Sequence, residues 1–365
     1  MAPLTTPLPL TTPFWWERSP LAQLPRDALP THADAVVIGS GYTGLHAALR
    51  IARAGRQVVV LEKGQVGEGC STRNGGQISE SIKPGLAVLT HRHGTEVARG
   101  ILAEGAASRV YVEDFITDEG IDCDFRPCGR FHAAATSGAY RALTRLADEA
   151  RVTMVPRAEQ RRELGTDWYH GGAVFHSHAS LDPGRYHAGL LARVREAGAL
   201  ILPHTEMTGL DETPEGVSVT TSQGRITARD VVLASNGYTG RASPWHRRRI
   251  IPIGSYVIAT EELPADTVRA IFPSGRIASD SRRVVYYYRA SPDGRRVLFG
   301  GRTSAGEIGA AAAGERLRQT MCTLFPELSG AAISHSWMGY VGYSFDALAH
   351  TGSAGRVHYA MGYCG

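Results

Sequence analysis

ADAVVIGSGYTGLHAALRIARAGRQVVVLEK, residues 33–63, decides the fold. The β-branched run Val36, Val37 and Ile38 stops at Gly39, a helical apolar pattern follows, and a second valine run, Val58 to Val60, ends at Glu62. This reads as strand, helix and parallel strand. Gly39, Gly41 and Gly44 fit G-x-G-x-x-G, and each glycine has its own task. Gly39 permits a tight turn, Gly41 lets the backbone approach a pyrophosphate, and Gly44 lets the helix pack closely on the strand. The helix N-terminus then faces the anion. Glu62 stands where a carboxylate accepts hydrogen bonds from both hydroxyls of an adenosine ribose and repels a 2′-phosphate. Glycine spacing alone means little in a chain with 42 glycines. Strand, turn, helix, strand and acid in that order point to dinucleotide binding rather than to an ordinary buried βαβ unit.

Working outward, GQVGEGCSTRNGGQISESIKPG, residues 64–85, is dense in glycine and small polar residues. Such a loop either brings backbone N–H groups and Arg73 towards phosphate or an electron-rich ring, or is plain surface; its place directly after the ribose-binding acid favours the first. Residues 94–119 have helical apolar spacing, Asp122 to Ala135 reads as a strand pair through Gly129, and residues 138–151 are again helical. Residues 172–180 look extended. Asp182-Pro183 opens a helix through Arg195, and Ala199 to Leu202 is a strand returning to the sheet. Val217–Thr221 and Arg225–Thr227 suggest a hairpin, followed by a buried strand from Asp230 to Ser235. From 241 to 335 strands dominate (Ser255 to Thr260, Val284 to Arg289, Val297 to Gly300), with a helix near 313–324. Residues 1–32, rich in proline but carrying Phe14, Trp15 and Trp16, form an extended segment draped over the body.

The 365 residues allow one large or two medium domains with sizeable cores, and 43% hydrophobic with 20% charged residues describes a globular chain. A net charge of +4 with scattered arginines gives no reason to expect nucleic acid. The five cysteines include no C-x-x-C pair and suggest no disulfide framework, which makes a reducing cytoplasm the default. The N-terminus lacks the pattern of a signal peptide, and no run is apolar and long enough for a bilayer. His91, His93, His170, His176 and His178 fall in different predicted elements without a recognised ligand set, so no metal is expected.

Further matching stretches are CSTRNGGQ (70–77), LDPGRYHAGLLARVREAGA (181–199), VVLASNGYTG (231–240), DGRRVLFGGR (293–302), GYSFDALAHTG (342–352) and YAMGYCG (359–365). With the opening stretch they resemble the D-amino-acid-oxidase-like flavoproteins, and within them most of all the members that act on γ-glutamyl polyamines. The resemblance implies an α/β (α+β) fold: a discontinuous Rossmann-like FAD-binding domain (33–90, 181–240 and 336–365) and a β-rich substrate or cap domain (91–180 and 241–335). It implies that Gly39, Gly41, Thr43 and Gly44 take the pyrophosphate and Glu62, with Lys63 beside it, the ribose. Ser71, Thr72, Arg73, Asn74, Gly75 and Gln77 would run beside the flavin, Met207 would meet adenine through its backbone, and Asn236 and Gly237 would close the phosphate side.

The departures from the family pattern are informative. Covalent members carry a cysteine where this chain has Trp337, which implies non-covalent FAD. Members acting on small amino acids place a carboxylate-binding arginine near Gly76, and its absence implies a larger amine; Ala349 stands where proline is usual. Members continue past GYCG into a helix aimed at the flavin pyrimidine oxygen, and a chain ending naturally at Gly365 is expected to hold and reduce FAD less well. The implied chemistry is hydride transfer from the carbon beside a neutral amine to flavin N5, then hydrolysis of the imine, with oxygen or another acceptor reoxidising the flavin. Arg73, Tyr256, Tyr288 and Arg302 are the catalytic candidates. Taken alone, each tyrosine reads more simply as sheet packing, as does Tyr286, and Arg73 reads equally as a structural ion-pair partner. The rival readings are an NAD-binding dehydrogenase and a truncated, catalytically silent chain.

Overall fold

The structure, a computed structural model, describes residues 8–146, 152–303 and 306–364. The valine runs become neighbouring parallel strands, His32–Ile38 and Val58–Leu61, in register Ala35 to Val58 and Ile38 to Leu61. Leu200–Leu202 adds beyond Val58–Leu61, and Gly224–Leu233 lies on the other side of His32–Ile38. Val357–Met361 and His350–Ala354 complete that edge, and the hairpin Met207–Thr213 and Gly216–Thr221 joins through Gly224–Leu233.

Val58–Leu61 is buried throughout because both faces of the sheet are covered, which is why it reads as a continuous apolar run without alternation. One face packs Val37, Val58 and Val60 against Leu45, Leu49, Leu190 and Val194 of the helices Tyr42–Arg53 and Pro183–Glu196. The other packs Val36, Val59 and Leu61 with Val217, Val219 and Ile226. The Pro183–Glu196 helix starts where the sequence signals it: the Asp182 carboxylate accepts from the N–H groups of Gly184 (2.9 Å) and Arg185 (3.1 Å), with proline in the first turn.

The second sheet has the spatial order Ile333–Tyr343, Ile251–Thr260, Val297–Gly301, Tyr286–Ala290, Ile277–Asp280, Arg130–Ala133, Gly172–Phe175, Val152–Val155. Neighbours are antiparallel except Ile277–Asp280 with Arg130–Ala133. Its two faces divide by strand alternation. Phe131, Tyr256, Tyr288 and Phe299 pack on Leu317 and Met321 of the helix Ala310–Leu324. Val257, Ala259, Leu298 and Trp337 face the other way, against Phe14 and Trp15 of the N-terminal segment. Burying those two aromatics is worth several kcal/mol as an upper estimate, at about 25 cal/mol per Å² over roughly 150–250 Å² each.

Several expectations are corrected. Asp122 to Ala135 is no strand pair: only Arg130–Ala133 is a strand, and its partners come from 172–175 and 277–280. Gly129, at φ +70, turns the chain into that strand without returning it on itself. Arg225–Thr227 and the following buried strand are one element, Gly224–Leu233, because its first half pairs with the hairpin and its second with Val357–Met361. Residues 336–343, which the resemblance places in the FAD-binding domain, run in the strand Ile333–Tyr343 and pair along Ile251–Thr260 of the second sheet. The helix expected over 138–151 is described as Ser137–Leu143 with a further turn at Thr144–Leu146, and 147–151 lie outside the described residues. The described part of the N-terminal segment, residues 8–31, is largely irregular, but Trp15–Arg18 forms one helical turn.

Candidate functional site

His32–Ile38 ends at Gly39, whose φ of +104 suits glycine. A Cβ on Gly44 would lie 1.9 Å from the Gly39 carbonyl oxygen, so the helix Tyr42–Arg53 seats against the turn only because residue 44 has no side chain. Gly41 is the N-cap in extended conformation and offers no side-chain cap. The Tyr42 N–H instead donates to Ser71 Oγ (3.0 Å), which brings the 70–77 loop to the helix N-terminus. A Cβ on Gly41 would meet that same oxygen at 2.8 Å. Thr43 lies at the same helix end, against the Tyr363 hydroxyl.

Glu62 Oε2 accepts from the N–H (3.0 Å) and hydroxyl (2.6 Å) of Ser40, and Oε1 accepts from the Gly64 N–H (3.1 Å). Ser40 Oγ accepts from the Gly67 N–H (3.1 Å), and the Ser40 carbonyl accepts from His187 Nε2 (2.8 Å). Burial lowers the His187 pKa, so a neutral ring donates that bond. A carboxylate has about four lone-pair sites. Three are engaged, which leaves about one for a ribose hydroxyl rather than the two bonds expected. The Glu62 carbonyl accepts from the Thr205 N–H (2.7 Å), two residues before the strand that Met207 opens. Lys63 Nζ lies 5.2 Å from the Tyr238 ring centroid.

In the 70–77 loop, Asn74 Nδ2 donates to Ser71 O (2.8 Å) while its Oδ1 accepts from the Gly76 N–H (2.9 Å). Thr72 Oγ1 donates to Gly67 O (2.6 Å), and Gln77 Nε2 donates to Ala278 O and Tyr288 O, both at 3.3 Å. A Cβ on Gly75 would meet the Tyr287 ring at 2.8 Å. Asn236 turns towards the chain's last residues: Oδ1 accepts from the N–H groups of Gly362 (2.9 Å) and Tyr363 (3.1 Å), and Nδ2 donates to Tyr363 O (3.0 Å). Gly237 approaches the Val341 carbonyl, 2.8 Å from where a Cβ would stand. Burial pushes the Cys70 thiol up to about 11 and the Tyr238 phenol up to about 12, so both are neutral beside the loop.

Two catalytic candidates are corrected. Tyr256 is 1% exposed, and its hydroxyl donates to Ile308 O (2.9 Å) and accepts from the Ile308 N–H (3.0 Å). Tyr288 is 0% exposed and donates to the Tyr169 hydroxyl (2.9 Å), which donates to Asp280 Oδ2 (3.1 Å). Alternation turns both side chains onto the Ala310–Leu324 helix, away from the 70–77 loop; it is Tyr287 and Ser255, hydroxyls 3.0 Å apart, that face the loop's side. The Arg73 guanidinium donates to Glu68 O (2.6 Å) and Met338 O (3.3 Å) and lies 4.5 Å from the Trp16 ring centroid, so among the described residues carbonyls and a ring hold it rather than an ion-pair acid. Arg302 follows the strand Val297–Gly301 and is exposed.

Sequence reasoning missed Ser40, His187 and Arg289. Arg289 is buried, with Nη1 donating to Gly76 O (2.7 Å) and Leu181 O (2.8 Å); desolvation lowers its pKa to about 10, still cationic at neutral pH. A Tyr-Tyr-Tyr-Arg run signals a strand, and nothing in it says which residue reaches across to the loop. Surface depressions of about 350 Å³ (beside Asp34, Arg50 and His358) and about 400 Å³ (beside Arg26, Thr205 and Gln223) are not where the glycine turn lies. Among the described residues no three His, Cys, Asp or Glu side chains form a metal site, and no helix is long and apolar enough to cross a membrane.

A glycine turn that a Cβ would fill, an N-terminus without its own side-chain cap and an acid at the next strand end suit a dinucleotide with an anionic centre, and they define a Rossmann-type dinucleotide-binding protein. Residues 34–365 match the DAO family of FAD-dependent oxidoreductases, and the chain belongs to that family. It is 32% identical over 317 residues to a probable oxidoreductase OrdL of Rhizobium meliloti, covering 85% of this chain and 73% of that protein. It is 30% identical over 339 residues to the γ-glutamylputrescine oxidoreductase of Escherichia coli, covering 91% of this chain and 79% of that one. Glycine oxidase from Geobacillus kaustophilus shares the fold, with a TM-score of 0.75 at 19% identity over 92% of this chain and 90% of that one. The expected mixed α/β fold and FAD as cofactor therefore stand, and the NAD reading is set aside.

Proposed function

We propose that this enzyme oxidises a C–N bond of an amine or amino-acid derivative to an imine, which water hydrolyses, and that its substrate is a γ-glutamyl-polyamine-like amine. The observation that carries the reading is the cradle of Gly39, Gly41, Gly44 and Glu62 in a chain of an FAD-dependent family. FAD, when bound, supplies the two-electron acceptor for the hydride leaving the carbon beside nitrogen. The N-terminus of Tyr42–Arg53 would meet the pyrophosphate, Glu62 would orient the ribose, and the 70–77 loop would run beside the ring system. Trp337 in place of cysteine leaves the cofactor non-covalent. Arg302 is the remaining polar candidate for orienting substrate. Two observations support a longer amine: Arg289, the cation that reaches Gly76, is buried with Nη1 engaged by Gly76 O and Leu181 O, and one relative is a γ-glutamylputrescine oxidoreductase. The proposed FAD-binding domain is 33–90, 181–240 and 336–365 and the substrate or cap domain 91–180 and 241–335, with 336–343 paired along Ile251–Thr260 of the second sheet. Oxygen or another acceptor takes the electrons, and five unpaired cysteines suit a cytoplasmic setting.

The test is anaerobic mixing of the FAD-loaded protein with an amine panel, read as loss of oxidised-flavin absorbance. γ-Glutamyl and other long amines should bleach it while glycine and sarcosine do not. Bleaching by glycine and sarcosine alone overturns the substrate reading, and a colourless protein indifferent to added FAD overturns the whole.

A further inference from the structure

Three consecutive residues of the 70–77 loop each accept a hydrogen bond from a different indole. Trp16 Nε1 donates to Thr72 Oγ1 (2.9 Å), Trp337 Nε1 to Arg73 O (2.9 Å) and Trp15 Nε1 to Asn74 O (2.8 Å). Arg289 Nη1 extends the row to Gly76 O (2.7 Å). The Arg73 guanidinium lies against the Trp16 ring, 4.5 Å from its centroid. The donors come from separate parts of the chain, yet all engage acceptors of this loop. Among the described residues the N–H groups of Asn74 and Gly75 meet no acceptor, so the loop keeps two backbone donors beside its tied acceptors.

The segment bearing Trp15 and Trp16 is anchored on both sides of the pair. Upstream, the Leu10 N–H donates to Ser334 O (2.9 Å) and Leu10 O accepts from the Ser336 N–H (2.8 Å), which adds a residue to the edge of the second sheet. Downstream, Arg18 pairs with Asp182 (2.9 Å) and Asp124 (2.6 Å), and Asp182 is the cap of the Pro183–Glu196 helix. Trp15 is fully buried against Val257 and Leu298, with no freedom to leave unless the segment leaves.

We propose that Trp15 and Trp16 are positioning residues for the flavin: together with Trp337 they tie down the 70–77 loop, so that its free backbone donors are already set when FAD arrives. The inference rests on the FAD reading and adds a role for residues upstream of the matched family region, which begins at residue 34. An indole suits the task because it gives one directional N–H from a large rigid body, and preorganisation of this kind raises affinity by lowering the ordering cost of binding.

The experiment uses the full chain, stripped of flavin and titrated with FAD by fluorescence, with amide exchange of residues 70–77 followed in the flavin-free form. Trp16→Phe, at a half-buried position that tolerates the change, removes the N–H and keeps an aromatic ring. We expect FAD dissociation constants about 5- to 10-fold higher, faster exchange confined to the loop, and a shifted visible flavin spectrum. Thr72→Val is made alone and with Trp16→Phe; the double variant should bind no more weakly than the worse single variant, the signature of a shared contact. Trp15→Phe is the harsher companion. Unchanged affinity and exchange in Trp16→Phe, or additive losses in the double variant, overturn the proposal. Failure of the unaltered chain to take up FAD overturns the underlying FAD reading instead.

Discussion

Replacing Glu62 with glutamine asks whether the acid serves the cofactor or only the fold. In the native chain the carboxylate receives two donors from Ser40 on one oxygen and one from Gly64 on the other. Glutamine has a single acceptor oxygen. Turned towards Ser40, it faces its NH₂ at the Gly64 N–H, donor against donor, and losing that bond costs about 1–3 kcal/mol. The flavin-free protein should therefore melt a few degrees lower, at roughly 2–4 °C per kcal/mol. The remaining lone-pair site on Oε1, the one left for ribose, becomes an N–H. A charge-assisted bond is then exchanged for a neutral one, a loss of about 1.4 kcal/mol or tenfold in FAD affinity. Fluorescence titration with FAD and with FMN separates the two effects, because FMN lacks the adenosine ribose. FAD should weaken about tenfold while FMN does not change. Equal weakening of both, or no change in FAD affinity beside a lowered melting temperature, would falsify the ribose assignment and leave Glu62 a structural residue.

Gly44→Ala places a methyl 1.9 Å from the Gly39 carbonyl oxygen, a backbone atom with nowhere to go, and should cost about 3 kcal/mol or more; thermal unfolding near the wild-type temperature would contradict the close helix-on-strand seat. Tyr288→Phe loses the bond to Tyr169, about 1 kcal/mol, without slowing flavin reduction by substrate, and a tenfold slower reduction in stopped flow would return Tyr288 to the site. Burial holds His46, His132 and His178 neutral, with pKa values down to about 4, about 3 and about 3; near His132 and His178 the Arg130 charge adds to the effect. The unfolded chain takes up those protons near pH 6.5, so this stability is complete above that pH and is lost as pH falls towards the folded values. Each histidine should remove about 2 kcal/mol between pH 7 and pH 5, and urea midpoints that do not move over that interval would refute the assignment.

The stretch 33–63 was sufficient by itself to give the central strands, the glycine turn and the acid, because every determinant there is local. β-Branched runs, the position of a missing Cβ and a helix start are all written within a few residues of where they act. Asp182-Pro183 is legible for the same reason: the cap and the helix it caps are adjacent. The failures have the opposite character. Tyr256 and Tyr288 lie on predicted strands, but which face of a strand meets the loop and which meets the Ala310–Leu324 helix is set by a partner about 20 to 70 positions away, and the pleat then turns every second side chain to the other side. Nothing local in residues 336–343 says that they pair along Ile251–Thr260. The tie of Ser40 to Glu62, the hold of Arg289 on Gly76 and the three indoles on Thr72, Arg73 and Asn74 join residues up to 264 positions apart. Sequence therefore determined that a dinucleotide cradle exists and where its glycines fall. Only the tertiary structure decided what holds the neighbouring loop in place, because a hydrogen bond between distant residues depends on packing that neither partner encodes alone.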